Sequence, residues 1–104
     1  MFEPIKVVPK KLLEKDIEDR VCRYARDKGF AAEKFVSPSR RSVPDRIITG
    51  PGRKIFYIEF KSKGKKPTVK QTKDHERRRV MGFEVYVVDN VEQGKAIIDM
   101  WADA

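Results

Sequence analysis

The sequence predicts an α/β fold: a mixed four-stranded sheet flanked by helices, in the order helix, three strands, helix, strand, helix. Leu13, Ile17, Val21 and Tyr24 recur at the spacing of one helix face. Residues 54–61 form a short run rich in Ile, Phe and Tyr, the composition of a strand. A second apolar run, 83–88, lies between a polar helical stretch and a closing helix and supplies the last strand.

In chain order, residues 1–11 place Pro4 and Pro9 around Ile5–Val8, which suits a short edge strand or an arm. The first helix covers 12–28, and Gly29 ends it. A strand over 30–36 leads into the polar, basic loop Ser37-Pro38-Ser39-Arg40-Arg41-Ser42. After Pro44, residues 45–49 make a short strand, and Gly50-Pro51-Gly52 a turn. The strand 54–61 is the clearest of all, and 62–67 is a lysine-glycine loop. Thr68 caps a polar helix running to about residue 81, which Gly82 closes. The last strand and a helix over 91–101 complete the order. No internal repeat or low-complexity tract interrupts it.

A chain of 104 residues has room for one domain, 1–104, with one modest core. Its net charge of +8 calls for a polyanionic partner, most simply nucleic acid, because the charge is clustered. Between Lys61 and Arg79 there are nine Lys or Arg against Asp74 and Glu76. Cys22 is the only cysteine, which excludes an intrachain disulfide and a cysteine-based metal site. No apolar run has the length of a signal peptide core or a membrane span. The expected compartment is a reducing cytoplasm, of a bacterium or a phage-infected host.

Glu59 and Lys61 stand two apart on one strand, roughly 6.6 Å along it, so they share a face opposite Phe56, Ile58 and Phe60. Glu-x-Lys alone is common, and Asp after Pro is a frequent turn residue. The combination of Val43-Pro44-Asp45, this strand and a basic helix points further, to a metal-dependent phosphodiesterase. Two carboxylates bind a hard divalent cation through oxygen and leave room for water and a phosphate oxygen. A lysine beside them can orient or help deprotonate the attacking water, or offset charge on the phosphorane. Asp45 is expected at the start of the neighbouring strand, facing Glu59, with the Phe60 carbonyl as an extra oxygen ligand. On the first helix, Glu14 and Glu18 fall on one flank of the buried stripe, and a helix packed on the sheet could aim Glu18 at the cation, directly or through water. Gln71 is placed to bond Lys61 or a phosphate, and His75, one turn on, is expected as a contact to the DNA backbone rather than as a base. Arg40, Arg41, Lys63, Lys65 and Lys66 flank the site from both sides and suit a phosphodiester backbone. With no helix-turn-helix spacing and no zinc finger, recognition is expected to be by shape.

These stretches resemble the PD-(D/E)xK nuclease superfamily and, within it, the stand-alone VRR-NUC domains of phages and bacteria. The carrying segments are Ile17-Glu18 through Gly29, Lys34–Pro38, Arg40–Arg46, Phe56–Lys61, Gly64–Pro67, Gln71 and Gly82–Asp89, almost the whole chain. Ser42 departs from the pattern, since many relatives carry Gly before Val-Pro-Asp. The resemblance implies a restriction-endonuclease-like core that binds Mg²⁺ or Mn²⁺ at Asp45, Glu59 and the Phe60 carbonyl. It makes Lys61 the catalytic lysine and Gln71 a supporting residue. The step from Glu18 to Gly29 also resembles archaeal Holliday junction resolvases and favours Glu18 over Glu14 as the helical acid. Stand-alone members look like symmetric dimers acting on branched DNA, which implies a homodimeric, Holliday junction resolvase-like endonuclease. A flap or nicking nuclease and a basic DNA-binding module without catalysis are the alternatives; retention of Glu18, Asp45, Glu59, Lys61 and Gln71 favours an enzyme.

Overall fold

The computed structural model describes residues 13–104; the edge strand or arm expected over 1–11 lies outside the described residues. The elements follow the expected order: α1 (Glu14–Asp27), β1 (Ala31–Lys34), β2 (Arg46–Gly50), β3 (Lys54–Phe60), α2 (Val69–Val80), β4 (Val85–Val88) and α3 (Val91–Ala102). They build one four-stranded sheet in the order β1-β2-β3-β4. The β1–β2 and β2–β3 pairs are antiparallel and β3–β4 is parallel, so the sheet is mixed.

Helix α1 begins with Glu14 and Asp16 in its first turn and ends with Arg26 in its last, charges that complement the helix dipole. Gly29 then takes φ +90°, a left-handed conformation that costs glycine little. The Phe30 N–H donates back to the Ala25 carbonyl, which stops the helix and turns the chain into β1. Arg53 and Gly52, both at positive φ, form the turn that sets Gly50 opposite Lys54 and fixes the β2–β3 register.

Strand β3 has neighbours on both sides, and Phe56 through Phe60 are buried. Alternation sends Phe56, Ile58 and Phe60, with Ile48 of β2, into a core closed by Ile17, Val21 and Cys22 of α1 and Ile98 of α3. Trp101 stacks on Phe56 at 4.6 Å, and its indole N–H donates to the Tyr86 hydroxyl (2.9 Å). Helix α2 covers the other face, where the Arg78 guanidinium lies over the rings of Phe35 (4.8 Å) and Tyr57 (5.2 Å).

The expected cap at Thr68 is a full capping box. The Gln71 N–H donates to Thr68 Oγ1 (3.2 Å), and the Thr68 N–H donates to Gln71 Oε1 (2.9 Å). At the far end the Phe83 N–H returns to the Arg78 carbonyl. Phe83 therefore serves the helix stop, and β4 starts two residues later than its apolar run suggested. Among the described residues no helix is long and apolar enough to cross a membrane.

Helices α1 and α3 meet at Gly94, where a Cβ would fall inside contact distance of both γ-methyls of the fully buried Val21. Ala is the better helix former by about 1 kcal/mol, but overpacking a closed core costs roughly 1–3 kcal/mol. Gly94→Ala is expected to lower the urea midpoint, with a net loss of up to about 2 kcal/mol. A raised midpoint would show that the helices are free to separate.

Candidate active site

The β2–β3 register pairs Arg46 with Ile58, so the residue before β2, Asp45, stands opposite Glu59. Directly opposed residues of an antiparallel pair share a face, and both carboxylates lie on one side of the strand ends. The backbone pins Asp45 from two directions. Its Oδ2 accepts the Phe60 N–H at 2.7 Å, and its carbonyl accepts the Phe35 N–H at 2.9 Å.

Glu59 is 1% exposed, an unusual place for a carboxylate. Its Oε2 accepts from the Gln71 amide (3.1 Å) and lies 3.4 Å from Lys61 Nζ. The orientation of that amide follows from the capping box: Gln71 Oε1 is taken by the Thr68 N–H, which leaves Nε2 to face Glu59. The other oxygen, Oε1, is buried and has no hydrogen-bond partner among the described residues. One carboxylate oxygen from each of Glu14, Asp45 and Glu59 lies within 4.8 Å of the others. Burial raises the Asp45 carboxyl to about 6, against the pull of the Phe60 N–H, with the charges of Glu59, Glu18 and Glu14 adding to the rise.

Asp45, Glu59, Lys61 and Gln71 thus converge as the sequence suggested, although Gln71 bonds Glu59 rather than Lys61. Glu18, expected as the helical acid, does not join them. Its Oε2 accepts from Arg46 Nε at 2.6 Å, with both side chains largely buried. Glu14, one turn earlier on α1, takes that place. The cause is strand alternation: Arg46 points to the opposite face from Asp45, toward Ile48 and the core, where its guanidinium needs a carboxylate and finds Glu18. It also donates to the Ala32 carbonyl at 3.0 Å.

His75 is the second correction. It was expected on the surface as a DNA contact, but it is 1% exposed, with Nε2 3.8 Å from Glu59 Oε1. Its helix reads as polar throughout, yet Gln71 and His75 lie four apart on the face that α2 presses against the sheet. Arg40, Arg41, Lys63, Lys65 and Lys66 are all exposed.

No family model matches the chain. A protein of Acyrthosiphon pisum secondary endosymbiont phage 1, described as "Putative nuclease p44", is 43% identical over 77 residues, which span 74% of this chain and 83% of the relative. A solved structure described as "VRR_NUC domain" superposes with a TM-score of 0.77 and 26% identity, over 83% of this chain and 94% of that one.

The Asp45 carboxyl titrates near 6 in the native state, above its ordinary 3.8. Between those values the native state holds the proton more tightly than the unfolded chain, so ionisation of Asp45 costs native stability as pH rises through that range. Asp45→Asn, which keeps an oxygen for the Phe60 N–H, is expected to raise Tm near neutral pH, with the gain fading as pH falls through 6 toward 4. A variant no more stable than the native protein at neutral pH would contradict the strain assigned to this carboxylate.

Proposed function

The chain belongs to the VRR-NUC family of nucleases, and from that premise we propose that it is a divalent-cation-dependent endonuclease of branched DNA, acting as a homodimer. The observation that carries the metal assignment is Glu59 Oε1, a buried oxygen without a hydrogen bond from the described residues and 3.8 Å from His75 Nε2, gathered with oxygens of Asp45 and Glu14. A buried carboxylate oxygen left unsatisfied is costly unless a cation completes it. Three carboxylates are a hard, all-oxygen donor set that fits Mg²⁺ or Mn²⁺. Glu14, Asp45 and Glu59 are the assigned ligands, and the Phe60 carbonyl remains an additional one on the strength of the family resemblance.

When bound, such a cation supplies Lewis-acid stabilisation of the charge that builds up on a phosphodiester under attack. The chain supplies the rest. Gln71 fixes Glu59 through Oε2 and leaves Oε1 for the cation side. The Phe60 N–H holds Asp45 at a set distance from Glu59. Lys61 stands beside Glu59 with 15% of its side chain exposed, so its ammonium is positioned between the buried carboxylate and solvent. It orients the attacking water and offsets charge as water adds to phosphorus. The attacking water gives up a proton to bulk water, the P–O bond to a sugar oxygen breaks, and the leaving alkoxide takes a proton back from bulk water. The basic loop residues Lys63, Lys65 and Lys66, with Arg40 and Arg41, track the backbone on either side. Two copies related by a two-fold axis would match the paired cleavage points of a four-way junction.

Cleavage of a labelled four-way junction, beside linear duplex and flap DNA, with Mg²⁺, Mn²⁺ or EDTA, tests this reading. Paired symmetric cuts that require metal are expected, and Lys61→Ala should slow them about 10²- to 10⁴-fold. Cuts confined to flaps or nicks would keep the site and discard the junction role. DNA binding without cleavage under either metal would mark a binding module.

The helical acid has its own test. Glu14→Gln should cost cleavage about tenfold or more by weakening metal retention, while Glu18→Gln should show mainly as lost thermal stability. The reverse pattern would return the ligand role to Glu18.

A further inference from the structure

Helix α2 (Val69–Val80) carries a second charged face beside the one that meets the sheet. Lys70, Lys73, Asp74 and Arg77 sit at i, i+3, i+4 and i+7, the spacing that in a small domain ordinarily delivers apolar residues to a core. Here it delivers three cations. Asp74 is buried and spent internally: Arg77 donates to it at 3.1 Å and Arg78 at 2.8 Å. Burial alone would raise its carboxyl, but the bonds from Arg78 and Arg77 hold it below the ordinary value, so it stays an anion committed to the helix's own arginines.

Across from this stripe runs the loop before β2. Arg40 and Ser42 of that loop, with Lys70, Lys73, Asp74 and Arg77, line a groove of about 320 Å³. Among the described residues, Arg40, Lys70 and Lys73 have no carboxylate within ion-pair distance. Cations gathered without counter-charge repel one another, and an anion is what relieves them.

We propose that this groove is a second binding site for nucleic-acid backbone phosphates, seating the strand beside the one that enters the candidate active site. Both walls lead there. Ser42 lies three residues before Asp45, and Lys70 precedes Gln71, whose amide holds Glu59. From Lys70 to Arg77 the helix rises roughly 10 Å, about three phosphate steps of one DNA strand measured along the duplex axis. That spread matches a row of phosphates along one strand. The site deepens the nuclease reading and rests on it for the identity of the polyanion.

The test is equilibrium binding of a fluorescein-labelled duplex oligonucleotide by anisotropy, in EDTA, over a series of NaCl concentrations. Both lysines are exposed, so Lys70→Ala/Lys73→Ala is expected to fold as the native chain does, checked by circular dichroism. It should bind more weakly, with a plot of log K against log salt shallower by about 1.8, the loss of two phosphate contacts. Lys70→Arg/Lys73→Arg should keep the native slope. An unchanged slope in the alanine variant, equal losses in both variants, or displacement of the duplex by inorganic phosphate at constant ionic strength would each overturn the proposal. Because binding is read without metal, its failure is separate from that of the nuclease reading. Cleavage by the native protein with an unchanged slope would remove only the groove, whereas groove-dependent binding with no cleavage in Mg²⁺ or Mn²⁺ would remove only the catalytic site.

Discussion

One buried carboxylate, Glu59, sets the terms for everything around it. It stands at the end of β3, the strand on which the core is built, and is 1% exposed. Taking such a charge out of water costs roughly several kcal/mol unless partners replace the lost hydration. The chain provides half of them. Gln71 and Lys61 attend Oε2, while Oε1 has no hydrogen bond from the described residues, with His75 Nε2 standing off at 3.8 Å. The capping box of α2 belongs to the same problem, because it fixes the Gln71 amide that fixes Glu59. Asp45, held opposite by the Phe60 N–H, adds a second charge to a crowded place and is pushed up to about 6. Stability has been given up here to keep two carboxylates close, the pattern expected of a site organised around a cation.

Strand alternation separates the acids into two groups with different tasks. Asp45 and Arg46 are neighbours in sequence and point to opposite faces of β2. Asp45 turns to Glu59 at the sheet's end. Arg46 turns inward, and Glu18 neutralises it beneath α1. Glu14, one turn closer to the N-terminal end of α1, is left to complete the acidic cluster. The two glutamates of one helix flank are thus sorted by a single guanidinium.

Much of this was legible in the sequence. The β3 pattern, the Gly29 and Gly82 stops and the Thr68 cap each rest on local chemistry, and each is where local chemistry puts it. Asp45, Glu59 and Lys61 were visible because a period-two strand and a short turn fix their geometry almost alone. Glu14 and Glu18 could not be told apart by helical spacing, since four residues apart they share a flank. The missing signal was Arg46: alternation places it with Ile48 on the core face, where its guanidinium needs a carboxylate and Glu18 supplies it. His75 was hidden for a different reason. Helix α2 is so rich in charge that its buried residues, Asp74 and His75, carry no apolar marker, and His75 meets the ionic end of β3 at Glu59. The β4 start was set too early because Phe83, although apolar, closes α2 through its N–H instead of entering the ladder.

The central claim is that Glu14, Asp45 and Glu59 together form a site for a divalent cation. Calorimetric titration of Mg²⁺ and Mn²⁺ into the native protein near neutral pH, beside Glu59→Gln, tests it most directly, since it needs neither DNA nor turnover. The account predicts saturable binding to the native chain that the substitution removes. Absence of binding to the native chain at millimolar metal, or binding that survives Glu59→Gln undiminished, would contradict it.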